Sequence, residues 1–310
     1  MGHAWVFPGQ GSQSVGMGRE LAEREPLART VFEEMDAVLG FSLSRIVFEG
    51  PEEELAATRN QQPALLATCI AYLRVLEARN ALPEPTVVAG HSLGEYTALV
   101  AVGSLELADA LRIVRRRGEL MELYGEGGML AVIGLERERL AAIAAEAGVE
   151  LANENAPNQL TLSGRNEALE HAANLARAAG AKRVVRLPVN AAFHSSLMRP
   201  VAEALARDLA TVPIRPPRAP LLACSDARLL ADPEELRHEL IAQIPAPVRW
   251  VDVVRHATDL GVRTFWEIGP GQVLSGLIRR IVPESTTYTA EQLVQNRAHS
   301  VASLEHTKGA

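Results

Sequence analysis

The sequence predicts an α/β protein: a large α/β core that carries an inserted βαββαβ subdomain, the ferredoxin-like arrangement. Three observations carry this expectation. Short apolar, β-branched runs alternate with helical apolar spacing along the chain. A strand-like run, Thr86-Val87-Val88-Ala89, feeds Gly90-His91-Ser92-Leu93-Gly94, and Glu95 to Ala101 continue as a helix. Between residues 127 and 192 the order of elements is strand, helix, strand, strand, helix, strand.

Ala4 to Phe7 reads as a short strand that Pro8 stops, followed by the turn-rich Gly9-Gln10-Gly11-Ser12-Gln13. Pro63 to Arg79 has helical spacing, and a second long helix is expected from about Leu105 to Tyr124. Gly125-Glu126-Gly127-Gly128 then breaks the pattern. The insert follows, with strands at Leu130–Ile133, Val149–Asn153, Gln159–Ser163 and Arg183–Leu187 and helices at Glu136–Ala147 and Asn166–Ala179. Past it a helix is expected to run through about Leu209, and Thr264–Ile268 is a late strand that closes on Gly269-Pro270-Gly271. The expected division is a core of residues 1–126 and 193–283, a subdomain of 127–192, and a polar tail or linker of 284–310 without sustained periodicity.

Composition excludes several classes. Of 310 residues, 47% are hydrophobic and 22% charged, as in an ordinary globular chain with a sizeable core. A net charge of −7 is the wrong sign for a general nucleic-acid binder. The two cysteines, Cys69 and Cys224, sit in apolar segments and make neither a disulfide framework nor a metal site. Met1 leads straight into strand-like residues, so no secretory leader is expected, and no apolar run approaches membrane-spanning length. The expectation is a cytoplasmic monomer with no metal and no membrane partner.

Chemistry is written most clearly at Ser92. A serine on a sharp strand-to-helix turn needs small neighbours two residues to either side, because the backbone doubles back there. The turn lifts the hydroxyl off the sheet and aims the helix N-terminus at the same point, which suits attack on an acyl carbonyl. The base this serine needs has one well-placed candidate. His194 lies where a strand ends and a helix begins, on the functional edge of an α/β sheet, whereas His91 lies inside the turn itself and points away. A plain helix-start histidine is the other reading of His194, and both stand.

Arg117 is the third candidate. Leu107, Ala110, Leu111, Val114 and Met121 form one helix face at about 100° per residue. Arg112, Arg115 and Arg116 fall off that face, and Arg117 lands on its edge. Two readings stay open: a snorkelling arginine in a basic cluster, or a fork for a substrate carboxylate.

These residues resemble a known family. Phe7-Pro8-Gly9-Gln10-Gly11-Ser12-Gln13, Gln62-Pro63, Gly90-His91-Ser92-Leu93-Gly94-Glu95-Tyr96, Arg117-Gly118, Phe193-His194-Ser195 and Glu267-Ile268-Gly269-Pro270-Gly271 are similar, in order, to blocks of malonyl-CoA:acyl carrier protein transacylases. That family includes free-standing fatty-acid enzymes and the acyltransferases of polyketide synthases. The resemblance spans roughly residues 3–282. It implies a hydrolase-like α/β core with a ferredoxin-like insert, and a ping-pong transfer of malonyl from coenzyme A to the phosphopantetheine thiol of an acyl carrier protein. The coenzyme A thioester would be a substrate, with no permanently bound cofactor.

By the same resemblance Ser92 is the nucleophile and His194 the base, with the backbone carbonyl of Gln243 orienting the histidine in place of an aspartate. The N–H groups of Gln10 and Leu93 would form an oxyanion hole, each worth about 3–4 kcal/mol. Arg117 would hold the malonyl carboxylate. Phe193 and Gln62 would shape the pocket, Phe193 crowding the α-carbon where methylmalonyl carries its methyl, a discrimination of about 1–3 kcal/mol. Ala191-Ala192 departs from the family's usual pair before Phe-His, and Asn190 is also unusual there. That pair and the tail tilt the reading towards a discrete polyketide acyltransferase acting in trans. An acyl hydrolase that clears carrier proteins, a transferase for a substituted malonyl unit, and a binding module that lost activity are the rival readings; Arg117 argues against the first, and the complete Ser92, His194 and Arg117 set against the last.

Overall fold

A computed structural model describes residues 2–295. The strands are β1 (Gly2–Phe7), β2 (Val87–Gly90), β3 (Gly128–Ile133), β4 (Glu150–Ala156), β5 (Gln159–Gly164), β6 (Arg183–Arg186), β7 (Leu221–Leu222), β8 (Leu229–Leu230), β9 (Val262–Glu267) and β10 (Thr286–Thr289). The helices before the small sheet are α1 (Arg19–Arg24), α2 (Pro26–Leu39), α3 (Leu43–Glu49), α4 (Glu52–Ala56), α5 (Thr58–Ala78), α6 (Gly94–Ala101) and α7 (Leu107–Leu123). After them come α8 (Arg137–Ala147), α9 (Asn166–Ala178), α10 (Arg199–Leu209), α11 (Pro233–Ala242), α12 (Trp250–Asp259), α13 (Val273–Ile281) and α14 (Ala290–Gln295).

Two sheets organise the molecule. The larger has the order β10-β9-β1-β2-β7-β8 and is parallel except for β8. Its central strands are buried on both faces, as helices on each side require: Trp5 and Phe7 face one core, Ala4 and Val6 the other. Phe7 lies opposite Gly90, and Val6 opposite Glu267. The carboxyl ends of β1, β2 and β9 therefore share one edge, where ligands bind in open α/β sheets. Three motifs far apart in sequence, at 7–13, 90–94 and 267–271, meet there for that reason.

The smaller sheet is antiparallel, in the order β4-β5-β3-β6, with β-α-β-β-α-β connectivity. Leu130, Val132, Leu140, Ile143, Leu160, Leu162 and Leu169 make its own core under α8 and α9. It is bonded to the larger unit along β4: Val248 N–H donates to the Ala152 carbonyl at 2.8 Å, and Glu154 N–H to the Val248 carbonyl at 2.8 Å.

The tail expected from residue 284 is corrected for its first part. β10 pairs in parallel with β9, Tyr288 stacks on Trp266 with ring centres 4.7 Å apart, and α14 buries Ala290 and Leu293. A four-residue edge strand of threonine and tyrosine is too short to show a period, so the sequence hides it. Residues 296–310 of the expected tail lie outside the described residues. Among the described residues no helix is long and apolar enough to cross a membrane.

Candidate active site

Ser92 sits in the tight turn between β2 and α6 with φ 55°, in the left-handed region that strains a side-chain-bearing residue. Glycines on either side make the turn possible. A Cβ on Gly90 would overlap the Gly94 carbonyl, and one on Gly94 would overlap the carbonyl oxygen of Phe7. The first turn of α6 thus packs directly on the ends of β1 and β2. His91 N–H donates to the Phe7 carbonyl at 3.0 Å, and its Nε2 pairs with Asn155 Oδ1 of β4 at 2.8 Å.

His194 also holds a left-handed φ, 57°. Its segment is pinned by Ala192 N–H on the Glu126 carbonyl (2.9 Å), by Ser163 Oγ on the Phe193 carbonyl (2.5 Å) and by Ser195 Oγ on the Ala192 carbonyl (2.6 Å). Nδ1 lies 3.0 Å from the Gln243 carbonyl and 2.9 Å from the Ala246 carbonyl. Carbonyls only accept, so the proton belongs on Nδ1, and Nε2 faces Ser92 Oγ at 2.8 Å as a lone pair. Burial, then the positive charge of Arg117, then His91 push the imidazole down to about 3 from an ordinary 6.5, against the pull of the two carbonyls. His194 is thus a neutral imidazole, oriented by backbone carbonyls and not by a carboxylate.

Arg117 is 1% exposed. Its Nη2 donates to Ser92 Oγ at 3.0 Å and its Nη1 to Gln62 Oε1 at 2.8 Å, while Gln62 Nε2 reaches Met121 Sδ at 3.3 Å. The guanidinium carbon stands 5.6 Å from the centre of the Tyr96 ring. Nε is buried and has no partner among the described residues. A guanidinium stays charged at any working pH, so this is a buried cation whose bonds go to neutral groups, an expensive state without a counter-charge.

One hydrogen-bonded set thus brings together Ser92, His194, Arg117, Gln62 and the carbonyl of Gln243. Leu93 follows Ser92 and is buried, and Gln10 stands half-buried in the loop after β1, its side chain bonded to Gln61. Among the described residues no backbone carbonyl accepts the N–H of Gln10 or of Leu93. Phe193 packs into the main core beside Ala191 and makes no polar contact with the set through its ring. A cavity of about 560 Å³, lined among others by Met17, Arg24, Tyr72, Arg79 and Glu291, is a separate feature that none of these residues lines. The sequence reading missed Ala246, a second carbonyl on His194, and Met121 as partner of Gln62; neither a backbone carbonyl nor a thioether acceptor has a pattern to find.

The family model for the acyl transferase domain matches residues 4–303. The chain belongs to the acyl transferase family. It is 44% identical over 286 residues to the malonyl CoA-acyl carrier protein transacylase of Bacillus subtilis (strain 168), covering 90% of each chain. The malonyl CoA-acyl carrier protein transacylase structure from Coxiella burnetii aligns with TM-score 0.92 and 38% identity over 95% of this chain and 96% of that one. A type II PKS acyl-carrier protein in complex with its malonyl-transacylase aligns with TM-score 0.91 and 39% identity over 98% of both. The acyl transferase match contains the whole hydrogen-bonded set described above.

Proposed function

We propose that this acyl transferase moves malonyl from malonyl-CoA to the phosphopantetheine thiol of an acyl carrier protein of fatty-acid or polyketide synthesis, through a malonyl ester on Ser92. The observation that carries the reading is Arg117. Its Nε and Nη2 lie on one edge of the guanidinium; Nε is unpaired and Nη2 rests on the nucleophile. A carboxylate on that edge accepts both bonds in parallel and supplies a directly bonded counter-charge, while Nη1 stays on Gln62.

With malonyl bound this way, Nη2 leaves Ser92 Oγ, and the freed lone pair is available for attack. His194 Nε2 takes the hydroxyl proton as Oγ adds to the thioester carbon. The N–H groups of Gln10 and Leu93, left without backbone acceptors, are the donors for the developing oxyanion. Collapse expels the coenzyme A thiolate, which takes the proton back from Nε2. The carrier thiol then gives its proton to Nε2, attacks the ester and regenerates Ser92. Throughout, the Gln243 and Ala246 carbonyls keep Nδ1–H in place and stabilise the imidazolium. Phe193 and Gln62 bound the acyl pocket. Both cysteines are free and buried, in keeping with a cytoplasmic enzyme.

The test is transfer itself. Incubated with malonyl-CoA and phosphopantetheinylated carrier protein, the enzyme should raise the carrier's mass by one malonyl group. Free malonate as the main product would make it a hydrolase instead.

A further inference from the structure

Glu95, three residues after Ser92 in the first turn of α6, is wholly buried and takes no part in the steps above. One carboxylate oxygen accepts the Cys224 N–H at 2.6 Å; the other accepts Gln243 Nε2 at 2.6 Å. The same Nε2 lies 3.3 Å from the Ser92 carbonyl. Gln243 is therefore held twice to the turn that carries the nucleophile, and its own carbonyl is one of the two that hold His194 Nδ1. Gln243 caps the C-terminus of α11, where only its N–H, on the carbonyls of Glu239 and Ile241, ties it to the helix. Side-chain anchoring supplies the direction that helix end lacks.

Glu239 stands beside Glu95 and Cys224, their ligand atoms within 4.8 Å of one another, but each carboxylate is already engaged: Glu239 accepts from Ser225 N at 3.2 Å and Ser225 Oγ at 2.8 Å. The cluster reads as an anchor of hydrogen bonds. We propose that Glu95 is a positioning residue: by fixing the Gln243 side chain against the Ser92 turn, it sets the Gln243 carbonyl that turns His194 Nε2 onto Ser92. This rests on the proposed roles of Ser92 and His194. Burial and Glu239 push the Glu95 carboxyl up, while the Cys224 N–H pulls it down; the geometry requires an acceptor towards Gln243 in either state.

The experiment is a double-mutant cycle on Ser92 acylation, measured in single turnover with malonyl-CoA. Glu95→Ala should lower the maximal acylation rate about 10²-fold, the loss typical of a small misplacement, with a much smaller change in the half-saturating concentration, because no hydrogen bond of Arg117 is removed. Glu95→Gln, isosteric and able to accept only one of the two N–H groups, should fall between and serves if Glu95→Ala does not fold. In a Gln243→Ala background either change should add little further loss, since the route to His194 is already cut. The ¹⁵N-labelled His194 Nδ1–H resonance should shift upfield in Glu95→Gln. Additive losses, or a loss confined to half-saturation with an unmoved Nδ1–H signal, would overturn the proposal. The underlying reading fails separately, if Ser92→Ala still takes up a malonyl group or His194→Ala acylates normally.

Discussion

Arg117 Nη2 donates to Ser92 Oγ at 3.0 Å. In the proposed mechanism this bond ties the cation that would select the substrate to the hydroxyl that would attack it, so recognition of the substrate and release of Ser92 would be one event. An acyl group without a carboxylate would have to leave the guanidinium on Ser92 or strand it unpaired and buried.

Substitution of Arg117 should therefore change selectivity, and not only rate. Arg117→Ala should cost malonyl-CoA orders of magnitude in kcat/KM while raising relative activity on acetyl-CoA, since sites built around one polar partner reject analogues lacking it by roughly 10⁴–10⁵-fold. Arg117→Lys should recover part of the malonyl activity, because an ammonium cannot make two parallel bonds. The ratio of kcat/KM for malonyl-CoA over acetyl-CoA across the three proteins decides the point; a flat ratio removes Arg117 from recognition.

How much of this was legible in the sequence differs from residue to residue. The Ser92 turn shows because glycine at both flanks is a steric demand, and a Cβ at either would meet backbone. Arg117 was placed on the edge of its helix face by periodicity, yet it is inside. The N-terminal turn of α5 lies so close over α7 that a Cβ on Gly118 would meet the backbone of Thr58 and Arg59, and that cover makes the edge interior. Periodicity within one helix carries no information about what lies against it. Helices α1, α3 and α4, of 6, 7 and 5 residues, are too short to show a period. Pro63, taken as a helix start, lies inside α5, and the Arg59 carbonyl it cannot bond is met by Arg115 Nη1 at 3.4 Å. The Gln243 carbonyl came only through family resemblance, since a main-chain acceptor leaves no mark on residue type.

The pH dependence of acylation should report the depressed histidine. In the proposed mechanism His194 works as the neutral base, and burial with Arg117 holds it down to about 3. In kcat/KM for malonyl-CoA the acid limb should lie well below 6.5, and in Arg117→Gln, with the positive charge gone, it should move up. A wild-type limb near 6.5 that Arg117→Gln leaves in place would contradict this.

The same depression has a stability consequence of definite sign. Between pH 6.5 and about 3 the unfolded chain protonates this imidazole and the folded chain does not, so stability drops as the pH is lowered through that window, by up to about 1.4 kcal/mol per pH unit. In His194→Gln, thermal unfolding between pH 7 and 5 should show a shallower loss of Tm than in the wild type. Parallel curves would show that His194 is not buried neutral.

His194→Ala should slow acylation and carrier transfer together, each by about 10²–10⁴-fold, the usual worth of general-base assistance. Stopped-flow acylation and a separate chase of preformed acyl-enzyme resolve the two. Wild-type rates in either would assign that step's proton transfer to another group.

The most direct measurement is intact mass after exposure to malonyl-CoA without carrier protein, followed by peptide mapping and a chase. A malonyl adduct should appear on the peptide holding Ser92, be absent in Ser92→Ala, and vanish when phosphopantetheinylated carrier protein is added but not when the carrier lacks that arm. An adduct elsewhere, or rapid transfer to carrier with no adduct at any time, would contradict the covalent Ser92 mechanism.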